Sequence, residues 1–303
     1  MLALGIVAAI AASLLYNTSI ALQALEARQV DHEHSLRPAL LGQLLRNRRW
    51  LGATAIGIAG WPLEIAALLL APLTVVQPCL TSGLILLLWL GATRLRERPG
   101  AREAVAVAAI ATGVIGIALA APQRTTDHAG AGAIALALAL VAIPIVSPYV
   151  LSLRFRHSPH QRGVEVGWGT GLATLAVVSA GCGYAWTAIA SKLLTDELAA
   201  GSALVGLAWL ATVVASEGLG LLSEMSALQR RPATHVAPTM FAVQVLVPVL
   251  LAPLIFGESW GSTPLHGAVL VASMALAVAG TVLLAGSRAV GAVIESAHSG
   301  EPG

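Results

Sequence analysis

The chain has 303 residues, of which 57% are apolar and only 11% charged, with a formal net charge of +2. Soluble domains carry roughly 25% charged residues, so this composition excludes an ordinary soluble enzyme, and a total of two cysteines excludes a disulfide-stapled fold. A mean hydropathy of +0.81 points to a lipid bilayer, whose core is crossed by about 20 apolar residues of helix at roughly 1.5 Å each.

Nine such runs follow in chain order: Leu2–Leu25, Trp50–Ala71, Pro72–Ala92, Glu103–Ala121, Ala129–Leu151, Val164–Ile189, Gly201–Ser226, Thr234–Phe256 and Pro264–Ala285. They are too long, and too little alternating, for barrel strands of about 10 residues. The expected fold class is therefore all-α: a polytopic helical membrane protein of about nine transmembrane helices. Spans 2 and 3 are separated at Pro72, which biases Ala71 out of the helical region. The first residues carry no basic n-region, so no cleaved signal peptide is expected. Cys79 and Cys182 fall inside spans and read as small apolar residues. Trp50 and Trp89 fall near cytoplasmic span ends, and Tyr184, Trp186 and Trp260 near outer ones, as an interfacial aromatic belt requires.

Between spans 1 and 2, residues 26–49 form an amphipathic cytoplasmic loop. Pro38 to Arg48 can form a short helix with Leu40, Leu41, Leu44 and Leu45 on one face, which would lie on the lipid surface. Pro144 and Pro148 should bend span 5. Gly167, Gly171, Gly181 and Gly183 permit close packing of span 6. The tail, 287–303, reads as disordered from its Gly, Ala and Ser content.

The arginines set the orientation. With the N-terminus outside, 15 of the 17 basic residues fall on the cytoplasmic side; only Arg124 and Lys192 lie opposite. The positive-inside rule thus puts the C-terminus in the cytoplasm, and a small chain without a targeting segment suits a bacterial inner membrane.

A duplication runs through the chain at an offset of 160. Gly60, Glu64, Ala67, Leu68, Pro72, Thr74, Val76 and Pro78 recur as Gly220, Glu224, Ala227, Leu228, Pro232, Thr234, Val236 and Pro238. The copies start at spans 2 and 7. Five spans separate them, an odd number, so the copies enter the membrane from opposite sides. Such an inverted-topology repeat is a construction of secondary transporters, because mirror-related bundles support alternating access. The chain divides into a first half of four spans (1–121) and a second of five (129–286).

These paired blocks, with the Arg-Glu-Arg run after span 3 and the Phe256-Gly257-Glu258-Ser259-Trp260 stretch, resemble the drug/metabolite transporter superfamily and its EamA-like repeats. The odd count of nine, with a long loop after span 1, is similar to the NIPA-type magnesium transporter branch. The resemblance implies transport of a small organic solute or of a divalent cation, and no enzymatic activity.

Ionisable residues at membrane depth are costly and mark functional sites. Glu64 lies eight residues before the outer Pro72 and Glu224 eight before the inner Pro232. Eight residues rise about 12 Å against a half-core of roughly 15 Å, so each carboxylate sits near the midplane. Glu217 and Glu224 are two turns apart on one helical face and should share a cavity; Glu165 is a weaker candidate. Asn17, Thr18, Gln23, Gln77, Thr81 and Gln244 could line the same space. A buried carboxylate can exchange a proton for a cation or take part of the shell of a hydrated Mg²⁺. No resident cofactor is expected, only H⁺ or Mg²⁺ as a transported ion. The Asp31-His32-Glu33-His34 run reads as a solvated loop, and Lys192 lies in no phosphate-binding loop. Expected partners are the bilayer and a small-molecule or cation substrate, without nucleic acid. Three readings stand: a proton-coupled transporter of small organic solutes, a Mg²⁺ or other divalent-cation transporter, and a non-transporting scaffold or accessory subunit.

Overall fold

The structure is a computed structural model that describes residues 2–31, 34–70, 79–80, 83–93, 100–120, 130–156, 170–256 and 264–285. Every regular element among these is helical: α1 (Leu2–Ala27), α2 (Pro38–Leu44), α3 (Arg48–Leu70), α4 (Gly83–Thr93), α5 (Ala101–Ala120), α6 (Ala131–Arg156), α7 (Thr170–Ala199), α8 (Ala203–Arg230), α9 (Ala233–Phe256) and α10 (Ala268–Ala285), the last entered through a 3₁₀ turn, Pro264–Gly267. Among the described residues four helices, α1, α6, α7 and α8, are long and apolar enough to cross a membrane by length and composition. Shorter apolar stretches run through α9 (Ala233–Pro248) and into α10 (Leu265–Gly280).

The outward faces of these helices are apolar. Leu204 is 84% exposed, and Val7, Ile143, Leu207 and Val214 are also open. In water so much contiguous apolar surface would drive association; it is compatible with an integral membrane location, where the surrounding hydrocarbon is as apolar as leucine.

Three helix pairs pack along their lengths: α1 on α3, α7 on α8, and α5 on α10. Around them α4 lies against α1, α9 against α7, and α6 against α7. Small residues allow the close approaches. A β-carbon on Gly183 of α7 would stand 2.9 Å from the Cα of Gly220 on α8, and one on Gly113 of α5 would stand 2.6 Å from the backbone nitrogen of Ala277 on α10. Gly181 is likewise wedged against α9, whereas Gly171 faces open space. The expected packing role therefore holds for Gly181 and Gly183 and not for Gly171; Gly167 lies outside the described residues.

Several local expectations need correction. The helix between spans 1 and 2 is α2, which stops at Leu44 and turns Leu40 and Leu44 toward protein, while Leu45 is 57% exposed. Leu40 and Leu44 are fully buried, in a cluster with Leu36, Trp50, Leu222, Met225 and Leu228. Burying both leucines against protein contributes about 1.5–3 kcal/mol each, which lipid would supply equally; the polar contacts described below are what favour docking. Trp50 is not an interfacial anchor: it is 2% exposed and points its indole N–H at Met225 Sδ, 3.3 Å away. Tyr184 is half-buried and its hydroxyl turns toward α8, while Trp89 is 59% exposed. Pro144 and Pro148 both lie inside α6. Cys79 and Cys182 are free thiols. The Pro72 break, Glu165, Trp260 and the tail 287–303 lie outside the described residues.

Candidate functional site

Two carboxylates define the site, and each is held by a tyrosine from the preceding long helix. On α3, Glu64 Oε2 accepts a hydrogen bond from the Tyr16 hydroxyl of α1 at 2.6 Å. On α8, Glu224 Oε2 accepts one from the Tyr184 hydroxyl of α7 at 2.5 Å. The local reason is the same in both places. Four residues before each glutamate, one turn back on the same face, stands a glycine, Gly60 or Gly220. A β-carbon there would approach the tyrosine ring at 2.8 Å over Gly60 and 3.2 Å over Gly220. The missing side chain lets the ring lie flat along the helix and reach the acid.

The correspondence extends beyond the acids. Ser19, one turn past Tyr16, donates to the carbonyl of Ala53 at 2.8 Å and lies where a β-carbon on Gly57 would meet it. Thr187, one turn past Tyr184, hydrogen-bonds Glu217, the residue in the place of Gly57. Thr187 also shares a 2.8 Å hydrogen bond with Ser216. Further along, Ser13 of α1 donates to the carbonyl of Leu80 and covers Gly83 of α4. In the second half the roles are exchanged: Gly181 of α7 faces the carbonyl of Met240 and the side chain of Val243 on α9.

The two pairs differ in environment. Glu224 is 4% exposed, and its Oε1 is buried without a hydrogen-bond partner. Glu64 is half-buried. Glu224 belongs to an unbroken buried stretch of α8 from Leu222 to Gln229. Behind it runs a hydroxyl cluster: Ser223 bonds Tyr149 at 2.7 Å and Ser179 at 2.9 Å, and Ser179 donates to the carbonyl of Ile145 at 2.8 Å. A carboxyl in such a place must be neutral or compensated, and an oxygen without a partner is where a proton or a cationic ligand would be accepted.

The remaining expected site residues are scattered. Glu217 is more exposed than Glu224, but it lies two turns away on the same helix and close enough to interact electrostatically with Glu224 and Tyr184. Asn17 is buried, with Nδ2 donating to the Ser13 carbonyl at 2.9 Å and Oδ1 unpartnered. Gln23 is committed to Thr54 at 2.9 Å, an interhelical bond. Thr18 and Gln244 are half-buried on α1 and α9. Gln77, Thr81 and the motif prolines Pro72 and Pro78 lie outside the described residues. Pro232 and Pro238 flank and enter the start of α9. An apolar groove of about 420 Å³ between α9 and α10 is lined by Leu246, Leu250, Val271, Met274, Ala275 and Val278; none of the described glutamates lines it. Among the described residues no group of three or more His, Cys, Asp or Glu could hold a metal ion.

Tyr16 and Tyr184, the hydrogen-bond donors to the two candidate acids, are the site residues that sequence reasoning missed. A signal existed: with the offset changed from 160 to 168, Tyr16 and Ser19 align with Tyr184 and Thr187. Comparisons with family models, with curated proteins and with solved structures return no match for this chain.

Proposed function

We propose that this chain is an integral membrane secondary transporter of the drug/metabolite class, in which two mirror-related carboxylates exchange a proton for a small organic cation. The observation that carries the reading is the recurrence of one arrangement in both halves: a tyrosine over a glycine, donating to a glutamate one turn on. The same contacts at Ser13/Leu80/Gly83 and Gly181/Met240/Val243 support extending the repeat to four helices each, α1, α3, α4 and α5 against α7 to α10, with α6 between them. α5 and α10 then meet at the pseudo-twofold axis near Gly113 and Ala277.

On this reading nine helices cross the bilayer, the N-terminus lies outside and the C-terminus in the cytoplasm of a bacterial cell. α3 and α8 run in opposite directions and hold their acids near the midplane. Alternating access follows from inverted bundles that can pack in two near-equivalent ways. The differing burial of Glu64 and Glu224 supports a state in which one acid is reachable and the other covered. Glu224, with an oxygen left over for a ligand, is the principal coupling group, and Tyr184 holds its other oxygen. The reaction is transport and not covalent chemistry. The partners are lipid and the transported solute.

The test is a thermal-shift screen of aliphatic and aromatic amines on purified protein, run in parallel on Glu224→Gln. Amines that stabilise the native protein and not the variant are the expected outcome. Equal stabilisation of both proteins overturns the assignment of Glu224 as the cation-binding group.

A further inference from the structure

The connector between α1 and α3, residues 28–47, is far longer than its counterpart between α7 and α8, which is the turn 200–202 with Gly201 at φ +81°. It is also tied down. Arg28 Nε donates to the carbonyl of Leu228 at 3.2 Å, and its Nη2 to that of Arg231 at 3.4 Å. Gln229 Nε2 donates to the carbonyl of Val30 at 2.9 Å, and its Oε1 accepts from Ser35 Oγ at 2.6 Å. The backbone N–H of Leu36 donates to Ser226 Oγ at 2.8 Å. Every one of these partners lies in the last two turns of α8 or just beyond it.

Between the polar contacts the apolar side chains close the gap. Leu36, Leu40, Leu44 and Trp50 are buried with Met225 and Leu228. Leu36 takes a left-handed backbone, φ +57°, which a β-carbon resists and which persists only where surrounding contacts impose it. At the far end Asn47 Nδ2 donates to Glu26 Oε2 at 2.6 Å, so both ends of the connector are pinned.

Among the described residues no counterpart of this cover lies on the other half. The end of α3 carries Trp61 at 67% exposure and a half-buried Glu64, and the turn 200–202 is too short to reach across as residues 28–47 do. The buried stretch Leu222–Gln229, with Glu224 one turn above Leu228, is thus enclosed by a segment that has no mirror image among the described residues.

We propose that the described residues of this connector, 28–31 and 34–47, are a latch on the cytoplasmic end of α8. Docked, they close the cytoplasmic route to Glu224; undocked, they open it. The assignment of the latch to the cytoplasmic side rests on the topology of the transporter reading above. The closure itself rests only on the contacts. A two-bundle carrier with one latched gate is asymmetric: its resting state is closed toward the cytoplasm, and opening there requires breaking the contacts of Ser226 and Gln229.

The experiment uses full-length protein carrying Cys79→Ala and Cys182→Ala, with a single reporter, Ser226→Cys. A membrane-impermeant maleimide is applied to inside-out vesicles, and the rate is compared with that of Arg46→Cys, an exposed position on the connector. Docking predicts that Ser226→Cys reacts at least about tenfold more slowly, because it waits for local opening. Adding Leu44→Ala should speed it. Because that variant could also weaken the whole fold, Ser35→Ala with Gln229→Ala is the second arm; it removes hydrogen bonds and little packing, and should speed labelling about fivefold or more. Equal rates at the two reporters, or a Ser226→Cys rate indifferent to both loosening changes, overturns the latch. Labelling of both reporters only from right-side-out vesicles overturns its cytoplasmic placement. Failure of the transporter reading registers separately, as absent solute-driven proton flux with the labelling rates as expected here.

Discussion

Replacing Tyr184 with Phe should cost this protein more than the same change at Tyr16. The Tyr184 hydroxyl is bonded to Glu224 Oε2, and Oε1 is already buried without a partner. At 4% exposure no solvent can take the place of the lost donor. The buried acid would then have two unsatisfied oxygens, a loss of about 1.5–3 kcal/mol for a hydrogen bond to a charged or strongly polar group. Glu64 is half-buried, so water can replace the Tyr16 hydroxyl, and the net cost there is about 0.5–1.5 kcal/mol. The assay is reversible unfolding in mixed detergent micelles, with double-mutant cycles against Glu224→Gln and Glu64→Gln to isolate each pair. The expected coupling is larger for Tyr184–Glu224 by about 1 kcal/mol. Equal couplings, or a harmless Tyr184→Phe, would refute the claim that burial sets the two pairs apart.

Three other outcomes follow from packing. Gly183→Ala should lower the melting temperature sharply, since its β-carbon would meet the backbone of Gly220 at 2.9 Å and overpacking costs about 1–3 kcal/mol; Gly171→Ala, in open space, should not. Gly60→Ala should displace the Tyr16 ring, which its β-carbon would meet at 2.8 Å; tyrosine fluorescence or a hydroxyl-sensitive infrared band of Glu64 would register the broken bond, and an unchanged band would contradict the fit. Leu44→Ala, at a fully buried position of α2, should cost about 2–5 kcal/mol by the same unfolding assay; a cost near zero would mean that α2 faces lipid after all.

The helical class was legible in the sequence from apolar runs closed by arginine, proline or glycine, but not every boundary: α7 runs ten residues past the expected end at Ile189, through Lys192 to Ala199. Which face of each helix turns inward was not legible. In a bilayer the outside is as apolar as the inside, so the pattern that separates core from surface in a soluble helix is weak here. For that reason the sequence does not distinguish lipid-facing leucines at 40 and 44 from the buried pair that packs α2 against α8. Glu64 and Glu224 could be singled out from their cost in hydrocarbon and from the shared block around them. Tyr16 and Tyr184 could not, because what joins a tyrosine to its acid is the packing of two helices across the missing β-carbon of a glycine. The changed offset from 160 to 168 hides the same correspondence: the connector 28–47 lengthens one half, while α7 and α8 lengthen the other.

Proton movement through Glu224 is tested most directly in proteoliposomes with a trapped pH-sensitive dye. Addition of a stabilising amine identified by thermal shift should drive proton flux in the native protein. In Glu224→Gln, verified to be folded, that flux should vanish while the bilayer remains sealed. Undiminished flux in Glu224→Gln would contradict the account.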